Sequence, residues 1–154
     1  MATLRFHQTT TATPEDFIAG LTDFGPGRST LFKNSADSYL DVHALGPHQA
    51  DVTEGSGGIW ERLHYDWSDP RHIKLTTVDS NLFGGASGHT YTLTPQPDGT
   101  TEIDAVLVRE GKNLRGRVIA SFIGAVGRRS LTKAFARTVK AIEVRSNAGA
   151  VERS

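Results

Sequence analysis

The 154-residue chain contains no cysteine and only one methionine. Without cysteine there is no disulfide scaffold, thiolate nucleophile, iron–sulfur cluster or Cys-ligated zinc. No apolar run approaches the roughly 20 residues that span a bilayer, so stable membrane insertion is not expected. The first ten residues lack an apolar signal core, which points to a cytoplasmic protein. Net charge is missing as well, because 17 Lys and Arg balance 17 Asp and Glu. What remains is a chain with 37% hydrophobic and 22% charged residues, the profile of one globular domain long enough to bury a core.

The zero charge is a sum of unlike parts. Residues 1–109 carry 14 acids and 7 bases, whereas residues 112–145 carry 9 bases and the single acid Glu143. An acidic body thus bears a basic C-terminal segment, either as a binding surface or as internal complementarity.

Residues 3–10 alternate weakly and are β-branched, which predicts a strand. Thr13-Pro14-Glu15-Asp16 then reads as a helix start, with Thr13 as N-cap and Asp16 placed for a capping box. Phe17, Ile18, Leu21 and Phe24 form its apolar stripe, Gly25-Pro26-Gly27 ends it, and a second short turn covers residues 28–32. Six strands are predicted at 38–45, 49–54, 59–67, 72–79, 89–94 and 101–109, separated by Gly, Pro and Asp turn signals. With no helices between them, the sheet should be antiparallel. From 113 to about 145 there is no proline. Leu114, Val118, Phe122 and Val126 fall four apart, and Leu131, Phe135, Val139 and Ile142 continue the stripe. At about 1.5 Å per residue this helix would be ~45–50 Å long, with Arg and Lys on its far face.

This order of elements resembles the START/SRPBCC superfamily, the polyketide cyclase/dehydrase and lipid-transfer proteins. The resemblance rests on Thr13-Pro14-Glu15-Asp16-Phe17 and on Trp60-Glu61-Arg62-Leu63 leading to Asp69-Pro70-Arg71. It rests also on Asp98-Gly99-Thr100-Thr101-Glu102 and on the helix end Val139-Lys140-Ala141-Ile142-Glu143. It covers about residues 3–145 and implies one α+β helix-grip domain over 1–145, followed by a tail over 146–154. In such a domain a curved antiparallel sheet of about seven strands wraps a long C-terminal helix, with two short helices after strand one. The family implies a hydrophobic cavity between sheet and helix, but its pattern names no reaction. Gly116, Gly124 and Gly127 within the helix fit close approach to the sheet or room for a ligand.

Strand alternation then selects the expected ligand-facing residues. The apolar lining is Leu63, Ile73, Leu75, Leu93, Ile103 and Leu107 from the strands, with Val118 and Phe122 from the helix. Tyr65, His89, Tyr91, Asp79 and Arg109 are the polar groups, His43 being ambiguous. A mostly apolar pocket with a few convergent polar groups is typical of small-molecule sites. An inward Arg109 needs a partner, which could be Asp79, Glu61 or an anionic ligand. The loop over 81–88 could act as a lid through Leu82 and Phe83.

Other chemistries find no support. Glu61 and His64 have ExxH spacing, but on a strand residues three apart face opposite sides, so no metal is expected. Gly84-Gly85-Ala86-Ser87-Gly88 lacks a following Gly-Lys-Ser/Thr, and no nucleotide or other cofactor is expected. The GxSxG spacing of a hydrolase elbow is absent. The basic helix face lacks the interleaved aromatics of an RNA binder and reads as a solvated face. Two functions follow. The first is binding of a hydrophobic small molecule such as a lipid, isoprenoid or polyketide-like compound. The second is a cyclase/dehydratase-type enzyme with His89, Tyr91, Asp79 and Arg109 as catalytic candidates. A third reading has the basic face docking an acidic protein.

Overall fold

A computed structural model describes residues 1–33 and 35–153. Strand β1 (Ala2–Thr10) leads into helix α1 (Pro14–Leu21). The predicted capping box is present: Asp16 N donates to Thr13 Oγ1 at 3.1 Å, and Thr13 N donates to the Asp16 carboxylate at 3.3 Å. Each bond satisfies an otherwise orphaned helix-end donor. Short 3-10 turns follow at Arg28–Thr30 and Asp37–Tyr39, the latter replacing the expected start of a strand at 38. Then come β2 (Asp41–Leu45), β3 (Gln49–Ser56), β4 (Ile59–Asp66), β5 (His72–Ser80), β6 (Gly88–Pro95) and β7 (Thr101–Arg109). All seven strands form one antiparallel sheet in the order β1-β7-β6-β5-β4-β3-β2. The β3–β4 hairpin turns on Gly57 and Gly58, both left-handed at φ 60° and 83°, the backbone that a two-residue turn between twisted strands demands.

The C-terminal segment is helical from 114 to 153, in three parts. Helix α2 (Leu114–Phe122) passes through a π turn (Ile123–Gly127) into α3 (Arg128–Arg153). The π turn changes which side faces the sheet, because its i→i+5 ladder carries one extra residue. In α3 the expected stripe points inward: Val139 and Ile142 are buried, and Phe135 packs on Phe6. In α2 it does not. Leu114, Val118, Phe122 and Val126 are 77%, 61%, 66% and 57% exposed. Val118 and Phe122 are therefore not cavity residues; Ala120, Ile119 and Ile123 face inward instead.

Gly116 is where α2 meets the sheet body. A Cβ there would lie 2.0 Å from the Leu82 carbonyl oxygen, so the helix can approach this closely only with glycine. Leu82 and Phe83, expected in a lid, are buried core residues under α2. Their loop is held by Gly84 N on Glu110 O and Lys112 N on Leu82 O, both at 2.9 Å.

Two further features concern the C-terminal segment. Residues 146–153, expected as a tail, continue α3, and Ser146 donates to Asp16 at 2.7 Å; Ser154 and the side chains from 149 lie outside the described residues. The basic segment is largely not neutralised by the acidic body. Lys112 pairs with Asp79 and Arg145 with Asp23. Among the described residues, Arg115, Arg117, Arg128, Arg129, Lys133, Arg137 and Lys140 make no ion pair.

The reversed face of α2 gives a direct check. Gly116→Ala, although it raises helix propensity, should cost about 1–3 kcal/mol through overpacking against Leu82. Val118→Ser should change stability by no more than about 0.5 kcal/mol. Urea unfolding of the two variants measures both, and the opposite ranking would place the stripe in the core.

Candidate functional site

The sheet's inner face divides into a packed end and an open end. Ile73, Leu93 and Ile103, expected to line a pocket, lie in the packed end with Phe17, Val139 and Ile142. At the other end is a cavity of about 370 Å³ walled by Leu63, Tyr65, Leu75, His89, Tyr91, Leu107 and Arg109. Ile119, Ile123 and Leu131 close it from the helix side. A second chamber of about 260 Å³ lies between residues 30–33, β7 and α3, lined by Phe6, Ala105 and Phe135 among others. The two chambers share a wall of Phe32, His89, Tyr91, Leu107 and Leu131.

Asp79 is absent from this cavity. It is exposed and pairs with Lys112 at 3.3 Å. A bulge between β4 and β5 breaks the alternation after Thr77, so Thr77 and Ser80 are buried while Val78 and Asp79 turn outward. Strict period-two counting fails at such a bulge. His43, the ambiguous candidate, is exposed on the edge strand β2 and bonds Thr53 at 2.7 Å.

Charged groups enter the cavity as two matched pairs. Arg109 Nη2 lies 3.0 Å from Glu61 Oε1, so Glu61 is the partner among the three candidates. Thr77 Oγ1 donates to the other Glu61 oxygen at 2.8 Å, and the guanidinium sits 4.9 Å above the Phe83 ring. The second pair is Arg28 with Glu54 at 2.6 Å. Arg28 also donates to the carbonyls of Asp23 and Leu21 and to the Tyr65 hydroxyl. Phe24 and Phe32 flank its guanidinium at 4.7 and 4.6 Å. Ser35 and Tyr65 both donate to Glu54. The sequence marks Arg28 and Glu54 only weakly. Arg28 follows a Gly-Pro-Gly turn, and Glu54 lies within the unremarkable strand β3, so their pairing is a product of tertiary contact.

Polar capacity is left over at His89 and Tyr91. Arg109 Nη2 lies 3.4 Å from His89 Nε2. A guanidinium only donates, so Nε2 is the acceptor and the network assigns the imidazole proton to Nδ1. His89 Nδ1 is buried with no hydrogen-bond partner. Burial, with the Arg109 charge adding, holds His89 well below its ordinary 6.5 and hence neutral. Its ring stacks on Tyr91 at 6.4 Å. Burial pushes the Tyr91 phenol up to about 12, so it stays a hydrogen-bond donor at neutral pH. Among the described residues its hydroxyl makes no hydrogen bond.

A seven-stranded antiparallel sheet closed by a C-terminal helix over a cavity is the START/SRPBCC-like fold. Solved structures of that shape agree over nearly the whole chain. The Zhui aromatase/cyclase from Streptomyces sp. R1128 superposes with a TM-score of 0.68 at 14% identity, covering 94% of both chains. TTHA0849 from Thermus thermophilus gives 0.68 at 14%, covering 96% of this chain and 98% of its own. A START superfamily protein from Mycobacterium smegmatis gives 0.62 at 14%, covering 94% and 97%. No family model and no curated protein matches the sequence.

The buried pairs predict how the site responds to change. Glu61→Gln leaves Arg109 charged without its carboxylate and should cost about 3–5 kcal/mol, whereas the double variant Glu61→Gln/Arg109→Met should recover much of that loss. Additive costs in a double-mutant cycle would contradict the pairing.

His89 adds a pH signature. In the unfolded chain it titrates near 6.5, and in the fold only at lower pH. Below pH 6.5 the unfolded chain binds the extra proton, so stability falls on acidification by at most about 1.4 kcal/mol per pH unit. His89→Gln should flatten that slope in urea titrations between pH 6.5 and 5; an unchanged slope would contradict a buried neutral His89.

Proposed function

We propose that this protein binds a neutral, largely apolar small molecule, such as a lipid, isoprenoid or polyketide-like compound, in the chamber between sheet and C-terminal helix. One observation carries this reading: the cavity is walled by apolar side chains, and both arginines that reach it already hold a carboxylate. A ligand therefore meets no net charge. Within the larger chamber an anionic ligand would add a third negative charge beside Glu61 and Glu54, at a desolvation cost that no unpaired cation there offsets; Lys33 and Arg137 line only the smaller chamber. A carbonyl or ether oxygen suits the site better, because the Tyr91 hydroxyl of the cavity wall makes no hydrogen bond among the described residues and His89 Nδ1–H, buried in the same wall, has no acceptor.

The likeness to an aromatase/cyclase raises an enzymatic reading with His89, Tyr91 and Arg109 as the acid–base set. Such chemistry needs a base as well as an acid at one ligand position. Here Arg28 holds Glu54, Arg109 holds Glu61, and the His89 Nε2 lone pair faces Arg109. The cavity offers donors but no free base, which favours binding over turnover.

Native mass spectrometry of the purified protein, followed by extraction, should find an apolar molecule that co-purifies. The neutral dye Nile red should bind and be displaced by a long-chain ketone more readily than by the carboxylic acid of equal length. Ile119→Trp, which fills the helical wall of the chamber, should weaken Nile red by about ten-fold or more. A protein that is empty as isolated and indifferent to Nile red would overturn the reading.

A further inference from the structure

The apolar stripe of α2 and the π turn is unaccounted for by the cavity. Leu114, Val118, Phe122 and Val126 follow one another at i, i+4 spacing, each more than half exposed. They form one continuous ridge rather than the scattered apolar residues that any surface carries. Between them lie Ser121, Gly124 and Ala125, all exposed and too small to shield the ridge. Arg115 and Arg117 flank its first turns, and Arg128 and Arg129 follow directly after Val126. All four are exposed and, among the described residues, unpaired.

We infer that this ridge docks peripherally on an anionic lipid surface. An amphipathic helix with large apolar side chains on one face and arginines beside them is the arrangement that lies in a membrane interface. The arginines supply attraction to acidic headgroups, and the ridge supplies the apolar contact. Among the described residues no helix is long and apolar enough to cross a membrane, so the contact inferred is one of surface docking.

Two other occupants fit less well. A second copy of the chain would bring four arginines against the same four. One helical ridge of four side chains is also short of the roughly 800 Å² per partner that a stable interface buries. An acidic protein would need to present a groove to a convex ridge, and four large apolar side chains are more than charge recognition requires. The ridge also has an inner side. Ile119 and Ile123 of the same segment wall the larger chamber, so docking sets that chamber about one helix diameter, roughly 10 Å, from the lipid. The docking itself does not depend on the chamber being used.

Flotation with vesicles tests this. The wild-type chain should float with vesicles of equal parts phosphatidylglycerol and phosphatidylcholine, stay behind with pure phosphatidylcholine, and be released by high salt. Val118→Ser/Phe122→Ser should lower flotation at least about ten-fold, and Arg115→Gln/Arg117→Gln should lower it and weaken its salt dependence. All four positions are exposed, so thermal melting and Nile red binding should be unchanged and report that the fold is intact. The inference is overturned if the wild-type chain ignores acidic vesicles at low salt, or if the serine variant floats as well as wild type. It is equally overturned if the chain is a dimer that the serine variant dissociates and no vesicle binding is seen, since a second copy would then cover the ridge.

Discussion

Arg109 and Glu61 sit 3.0 Å apart on the cavity wall, Arg28 and Glu54 2.6 Å apart beside it. Most of what surrounds them depends on those two contacts. An unpaired guanidinium in this setting would pull in water, and an unpaired carboxylate would take up a proton. Paired, they let polar side chains line an interior without drawing solvent into it. Each pair is also tied to the local structure. Arg28 bonds the carbonyls at the end of α1, Glu54 anchors Ser35, and Glu61 holds Thr77 beside the bulge. The open end of the sheet is therefore kept in shape by polar bonds, the other end by packed side chains.

The second organising feature is the π turn. One extra residue between 123 and 127 gives the C-terminal segment two different relations to the sheet. Beyond it, α3 closes the packed core in the ordinary way. Before it, α2 rests on Gly116 and Ala120, two small residues that bring it close to Leu82 and Phe83. That close seat leaves the larger apolar residues of α2 on the outside. Cavity wall and exposed ridge are opposite faces of the same short stretch of helix.

The architecture was largely legible in the sequence because its signals are local. The capping box at Thr13, the Gly-Pro and Gly-Gly turns and the alternation of β4 and β7 each report on a few neighbouring residues, and they do so correctly. Leu63, Tyr65, Leu75, His89, Tyr91, Leu107 and Arg109 all line the cavity as alternation implies. Two of the failures share one cause, a single inserted residue that shifts the phase, whereas Ile73, Leu93 and Ile103 face inward as alternation implies but are covered by packed side chains. At Asp79 the insertion is a β-bulge, and at Val118 and Phe122 it is the π turn. The second left a trace: Val126 and Leu131 are five apart in a stripe otherwise spaced by three or four. Arg28 and Glu54 were not legible, since no local pattern marks two residues 26 apart as partners.

The central claim is that a neutral, apolar ligand with a hydrogen-bond acceptor occupies the chamber under His89. Solution NMR during titration with a neutral aryl ketone addresses it most directly. The account predicts shifts in the methyl signals of Leu63, Leu75, Leu107 and Ile119, and a downfield move of the His89 Nδ1 proton as it gains an acceptor. Shifts confined to the outer methyls of Leu114 and Val118, with the His89 ring unmoved, would contradict it.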